Sequence, residues 1–255
     1  MSVLLSEQKD QVLTLTLNRP ESVNAMTTEL LIALDTALEQ ARDPGIRAVL
    51  LRGSGRGFCS GQDLREFSGK SFSYGEHLRR YNSVVERIVS LPKPVVAAVH
   101  GAAAGAGMSL ALACDFRIVS ADAFFTTGFS RIALVPDSGM TFTLPSMVGR
   151  AKAFELMATS ERLTPEQALS LGIVNRVVPA EAFEQEAANY AQALAQGPTM
   201  TLGFIKQALY RGAHSSLGEM LALEAELQEL AGATLDHQEG VKAFWEKRAP
   251  KFQGK

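Results

Sequence analysis

Val12 to Leu17 reads VLTLTL, an alternation of apolar and polar residues with a period of two that predicts a strand, ended by Asn18-Arg19-Pro20. The period then changes. Between Thr27 and Arg42, Leu30, Ala33, Leu34, Ala37, Leu38 and Ala41 recur at helical spacing until Asp43-Pro44-Gly45 stops them. Ala48 to Leu51 predicts a second strand, followed by the glycine-rich loop GSGRGFCSGQDL from Gly53. Leu78, Tyr81, Val84, Val85, Ile88 and Val89 line one face of a further helix, closed by Pro92 and Pro94. Val95, Val96 and Val99 form a strand that runs into Gly101 to Gly107, a segment of Gly and Ala alone, and Met108 to Ala113 continues as a helix. Strand-like character returns at Phe116 to Val119 and in the region Ala133 to Pro136. A helix follows over Met140 to Met147.

Thr164-Pro165-Glu166-Gln167 has the form of a capping box with Pro at the first helical position, and Gly172 ends that helix before strand-like Ile173 to Val178. Beyond Pro179 the pattern is helical over 180–196, 199–213, 217–231 and 236–247, with Ser216 and Glu219 forming another capping box. The expectation is an α/β core over residues 1–197 and a helical C-terminal region over 198–255. Apolar faces on several of those last helices call for a partner, and a neighbouring subunit is a candidate.

The Gly/Ala segment changes the picture from architecture to chemistry. A strand, a turn without side chains and a helix start leave backbone N–H groups open at the positive end of a helix, where a developing negative charge is stabilised. Close packing of glycine against neighbouring backbone is the plainer use of such residues. Charge narrows the partners: 25 basic against 27 acidic residues, with no basic block, argue against nucleic acid. Lys247, Arg248 and Lys251 form a small cluster that can meet a phosphate. Cys59 and Cys114 lie in apolar contexts without CxxC spacing and read as buried free thiols. MSVLLSEQKDQ lacks a basic region followed by an apolar core, and no uncharged apolar run reaches the roughly 20 residues that cross a bilayer. A cytoplasmic enzyme, away from membranes, is expected.

Several motifs fall away. SGKS at Ser68–Ser71 resembles the end of a phosphate-binding loop, but Leu64 stands where that loop needs Gly. Gly53, Gly55 and Gly57 follow a strand, yet their spacing and the absence of an immediate helix do not fit a dinucleotide fingerprint. His77, His100, His214 and His237 are not paired at ligand spacing, so no metal is expected, and each reads as a surface or packing residue. GFSRI at Gly128 and GMSLA at Gly107 lack the final Gly of a nucleophile elbow.

Three stretches remain: SGRGFCSGQDL at 54–64, KPVVAAVHGAAAGAGMSLALACD at 93–115 and FSRIALVPDSG at 129–139. With AFWEKRAPKF at 243–252, their order resembles the crotonase superfamily, the enoyl-CoA hydratase/isomerase fold, from NRPESVNAM at 18–26 to the C-terminus. That resemblance implies a spiral of β-β-α units with a C-terminal helical trimerisation region, homotrimers or dimers of trimers, and an acyl-CoA thioester as substrate. Coenzyme A would be part of the substrate, with no separate cofactor. It further implies an oxyanion hole of two backbone N–H groups, assigned by position to Ser60 and Ala106. Coenzyme A binding falls to the backbone around Ser22, Val23, Asn24 and Ala25 and to the loop of Gly61, Gln62, Asp63 and Leu64, with Lys247 or Lys251 near a phosphate.

The family's hydratases carry two glutamates, and by position this chain has Ser109 and Phe129 in their place. Asp137 remains. A single carboxylate there matches the isomerase branch, and VPDSG within FSRIALVPDSGMTFTLP looks like the epoxide-isomerising members that serve phenylacetate catabolism. The implied reaction is a proton shift through a thioester enolate, with Asp137 in apolar surroundings for which Phe129, Phe142 and Leu144 are candidates. The depth of the acyl pocket is expected to depend on loops such as Phe67 to His77. As plain geometry, Asp137 before Ser-Gly and a helix is equally suited to be an N-cap. A hydratase with other water-positioning groups and an acyl-CoA binding subunit without turnover are the alternatives.

Overall fold

The computed structural model describes residues 2–67 and 73–255. The SGKS segment and the centre of the Phe67 to His77 loop lie outside them. The strands are β1 (Leu4–Lys9), β2 (Val12–Leu17), β3 (Ala48–Gly53), β4 (Val95–Val99), β5 (Ala102–Ala104), β6 (Phe116–Ser120), β7 (Phe124–Thr126) and β8 (Arg176–Val178). The helices are α1 (Thr28–Gln40), α2 (Tyr74–Ser90), α3 (Ala106–Ala113), α4 (Met140–Val148), α5 (Arg150–Thr159), α6 (Pro165–Ser170), α7 (Phe183–Ala195), α8 (Thr199–Gly212), α9 (Leu217–Gly232) and α10 (Leu235–Glu246).

The main sheet has the order β1-β2-β3-β4-β6-β8, antiparallel between β1 and β2 and parallel elsewhere. Its alternation sorts the core into two layers. Leu13, Leu15, Leu17, Val49, Leu51, Val95, Ala97 and Val99 face α1, α2 and α3, whereas Val12, Leu50, Val96, Ala98 and Ile118 face α7. Central strands covered on both faces need apolar residues at every position, which is why β4 reads VVAAV without a polar break.

β5 and β7 form a second, parallel ladder. The Gly/Ala segment is therefore more than a turn: Ala102–Ala104 is a strand, and Ala103 also bridges Cys59. The strand expected at Ala133 to Pro136 does not form. A 3-10 turn, Phe129–Ile132, precedes it, and Ala133 has a left-handed backbone that takes the chain out of extended geometry. The Ile173 to Val178 strand is shortened to β8 because Ile173 and Val174 donate to Ala168 at the end of α6. Both capping boxes form as expected, Thr164 with Gln167 and Ser216 with Glu219. Among the described residues no helix is long and apolar enough to cross a membrane.

Candidate active site

The site begins where two loops pair. Val23 and Asn24 take left-handed backbones (φ 52° and 55°), turning the chain so that 22–26 runs beside 59–63. Ser60 N–H donates to Val23 O at 2.9 Å, Met26 N–H to Gly61 O at 2.7 Å and Asp63 N–H to Met26 O at 3.0 Å. Ser60 Oγ donates to Ser22 O at 2.9 Å, and the buried Cys59 thiol meets Asn24 O at 3.1 Å. The segments expected to hold coenzyme A are thus brought together, with Ala25 buried and Leu64 exposed at its edge.

Asn24 holds its loop from the inside through its side chain. Its side chain is fully buried, accepts from Arg19 N–H and donates to Ser54 O and Gly57 O, each at 2.8 Å. That saturates both ends of the amide and makes it an internal clasp. Asp63 is a second clasp. Arg65 donates to it at 2.8 and 2.7 Å and Arg19 at 2.9 Å, and these cations, Arg65 foremost, hold its carboxyl well below the usual carboxylate range.

Against this loop pair stands the start of α3. Gly105, its N-cap, has φ 54°, and a side chain on Gly107 would come within 2.3 Å of Cys59 O, so glycine on both sides of Ala106 is what lets this helix start pack here. Gly61 (φ 98°) sits so close that a side chain on it would lie 3.4 Å from Ala106 N. The Ala106 N–H opens the helix without a hydrogen-bond partner among the described residues, as expected of an oxyanion donor. The Gln62 N–H, directly after Gly61, is likewise unpaired. The Ser60 N–H, expected as the second donor, is spent on Val23. Which amide of CSGQDL stays free depends on its pairing with 22–26, and no residue type signals it.

Asp137 is half-buried ahead of α4, whose N-cap is Gly139 with no side-chain hydrogen bond. The N-cap alternative therefore does not hold: only the Asp137 carbonyl accepts, from Met140 N–H at 3.1 Å. Its carboxylate takes a hydrogen bond from Ser138 Oγ at 2.8 Å, Ser138 itself being left-handed (φ 54°). Burial pushes the Asp137 carboxyl above its ordinary value, with the Ser138 bond opposing. Ser109, on buried α3, donates its hydroxyl to Asp137 O at 3.0 Å and so ties the loop in place. Phe129 and Leu144 are buried, as expected of walls, whereas Phe142 is exposed, packs against His214 and lines a groove with Ile205 and Leu209 of α8.

Two groups not singled out as site residues join them. His77, expected to be a surface or packing residue, is buried on α2 with Nε2 2.6 Å from Gln62 Oε1. Burial pulls its imidazole below the ordinary value. One turn along, the Tyr81 ring packs edge-on against His77 at 5.1 Å between centroids. Lys247 and Lys251 are exposed beyond α10, and among the described residues no hydrogen bond or ion pair joins their side chains to 22–25 or 61–64.

Residues 7–255 match the family model described as enoyl-CoA hydratase/isomerase. The chain is 44% identical to the 1,2-epoxyphenylacetyl-CoA isomerase of Escherichia coli, with all of both chains covered. It is 43% identical to a Rhodobacter capsulatus protein named "Probable enoyl-CoA hydratase", over 94% of each chain. A solved enoyl-CoA hydratase from Polaromonas superimposes with a TM-score of 0.93 at 35% identity, covering 98% of this chain and 99% of that one. An unpaired helix-start amide, a second free amide beside it and a half-buried carboxylate stand on the crotonase fold, and this chain belongs to the enoyl-CoA hydratase/isomerase family.

Proposed function

We propose that this enzyme is an acyl-CoA isomerase working through a thioester enolate, on an enoyl-CoA or on 1,2-epoxyphenylacetyl-CoA in phenylacetate catabolism. Asp137 carries the reading: a half-buried carboxylate that caps no helix and meets no cation among the described residues, so its proton affinity is raised. At the two positions where hydratases of the family carry glutamates stand Ser109 and Phe129, neither able to activate water. Asp137 takes a proton from the carbon beside the thioester carbonyl, and the electron pair moves onto the carbonyl oxygen. The Ala106 and Gln62 N–H groups receive that oxygen; Gln62 replaces Ser60 because the Ser60 amide already serves Val23. Returning the proton to the γ carbon shifts the double bond with no atom gained or lost and no cofactor consumed. In an arene epoxide the same enolate assists opening of the strained ring.

Coenzyme A lies along the backbone of Ser22–Ala25 and Gly61–Leu64, with Lys247 or Lys251 at a phosphate. Replacing both lysines by Ala should then weaken binding and flatten its salt dependence. A trimer-based assembly accounts for Leu209, Leu217, Phe244 and Trp245, each more than 70% exposed on α8 to α10. Native mass spectrometry should show trimers or hexamers at micromolar protein; monomer alone would contradict this. The hydratase relative keeps water addition as the second reading. Conversion of 3-enoyl-CoA to 2-enoyl-CoA and of the epoxide by wild type, without hydration of crotonyl-CoA, supports the isomerase, and Asp137→Asn should lower those rates by about 10²-fold or more.

A further inference from the structure

Three buried side-chain polar atoms of the described residues have no hydrogen-bond partner: Gln62 Nε2, Tyr81 Oη and His100 Nδ1. His100 lies apart, beside Gly55 and Phe183. The other two belong to one chain of contacts, because Gln62 Oε1 meets His77 Nε2 at 2.6 Å and the His77 ring packs on Tyr81. His77 and Tyr81 are four residues apart on α2 and share its inner face. Accepting from His77 orients the Gln62 amide so that its NH₂ points away from that bond.

Tyr81 is 3% exposed. Burial above all, then the acidic groups of Cys59, Asp137, Glu66 and Asp63, suppress its ionisation, so it remains an O–H donor at every physiological pH. Those groups sit on the 59–66 segment and on the Asp137 loop, the two parts of the chain from which the site is built. A buried hydroxyl without an acceptor is destabilising, and phenylalanine would fill the same space without that cost. The backbone N–H of Gln62 is assigned to the thioester oxygen, so its side-chain NH₂ and the Tyr81 hydroxyl are donors left over for another acceptor on the same ligand.

Resting on the isomerase reading of this site, we propose that Tyr81 Oη and Gln62 Nε2 are specificity-determining donors for an oxygen carried on the acyl group near the carbons served by Asp137. The site then takes oxygenated arylacetyl or enoyl thioesters in preference to plain hydrocarbon ones. An acyl group that leaves both donors dry loses their hydrogen bonds and gains nothing in return.

Titration calorimetry with phenylacetyl-CoA and 2-hydroxyphenylacetyl-CoA tests this without turnover. Wild type should bind the oxygenated thioester about tenfold more tightly, and Tyr81→Phe should erase most of that preference while leaving phenylacetyl-CoA affinity and the melting temperature unchanged or slightly raised. No preference in wild type, a preference that survives in Tyr81→Phe, or an equal loss for both ligands would each overturn the proposal. Asp137→Asn separates it from the reading beneath: that variant should keep the ligand preference while losing isomerisation. If it kept isomerisation, the reading of Asp137 would fall; the ligand preference would still decide the role of Tyr81.

Discussion

The ladder that pairs 22–26 with 59–63 and the wall made by Gln62, Tyr81, Asp137 and the start of α3 meet at Gly61 and Gln62. They differ in how their polar groups are spent. In the loops, Asn24 uses both ends of its amide, Asp63 takes three guanidinium donors, and the Ser60, Met26 and Asp63 N–H groups all have carbonyl acceptors. On the wall, the Ala106 and Gln62 N–H groups, Gln62 Nε2 and Tyr81 Oη have none among the described residues, and the Asp137 carboxylate has only its neighbour Ser138. A fold satisfies nearly all its buried polar groups, so a concentration of unspent ones marks where a ligand completes the count. The saturated half holds the unsaturated half in position, since Gly61 and Gln62 are carried by the loop pairing itself.

The sharpest way to break that contrast is to delete an amide from the unspent set. Ala106→Pro removes the N–H assigned to the oxyanion, and turnover should fall by about 10²- to 10³-fold. Circular dichroism must show an intact fold, and a folded variant of full activity would remove Ala106 from the site. A spent group should behave in the opposite way. Asn24→Ala strands three hydrogen-bonding groups, one of them fully buried, and puts a side chain other than Asn or Gly at φ 55°, so stability should drop by about 3 kcal/mol in denaturant melts. Below the melting transition, the remaining folded Asn24→Ala should keep most of its rate per molecule.

A smaller effect lies in pH. Asp137 acts as the ionised base, and burial raises its carboxyl above the ordinary 3.8, so kcat/KM should climb with pH through an inflection above that value. An acid limb at or below the ordinary carboxylate range would say that the rate-limiting base is more solvated than Asp137.

Much of this was legible in the sequence, and the limits have physical causes. The period of VLTLTL and the helical spacing from Leu30 to Ala41 set β2 and α1, since burial on one face leaves a periodic trace. β5 left none: AAA lacks branched side chains, and its strand geometry is imposed by β7 and the bridge from Cys59. β1 also hides, because only Leu4 of LLSEQK is buried and no alternation results. Asp137 and Ala106 were visible through their motifs. Gln62 as a donor was not, because backbone availability depends on which neighbour takes each amide. Tyr81 read as an apolar position on a helix face, which its ring is, and the sequence does not say where its hydroxyl ends.

On this reading Asp137 moves the substrate proton while the unspent donors hold the enolate. Deuterium uptake from heavy water into a bound acyl-CoA, followed by mass spectrometry in wild type and Asp137→Asn, addresses it without depending on which product forms. Exchange should occur at the carbon beside the thioester in wild type and should be at least about 10²-fold slower in a variant whose melting temperature stays close to wild type. Equal exchange in a well-folded Asp137→Asn would contradict it.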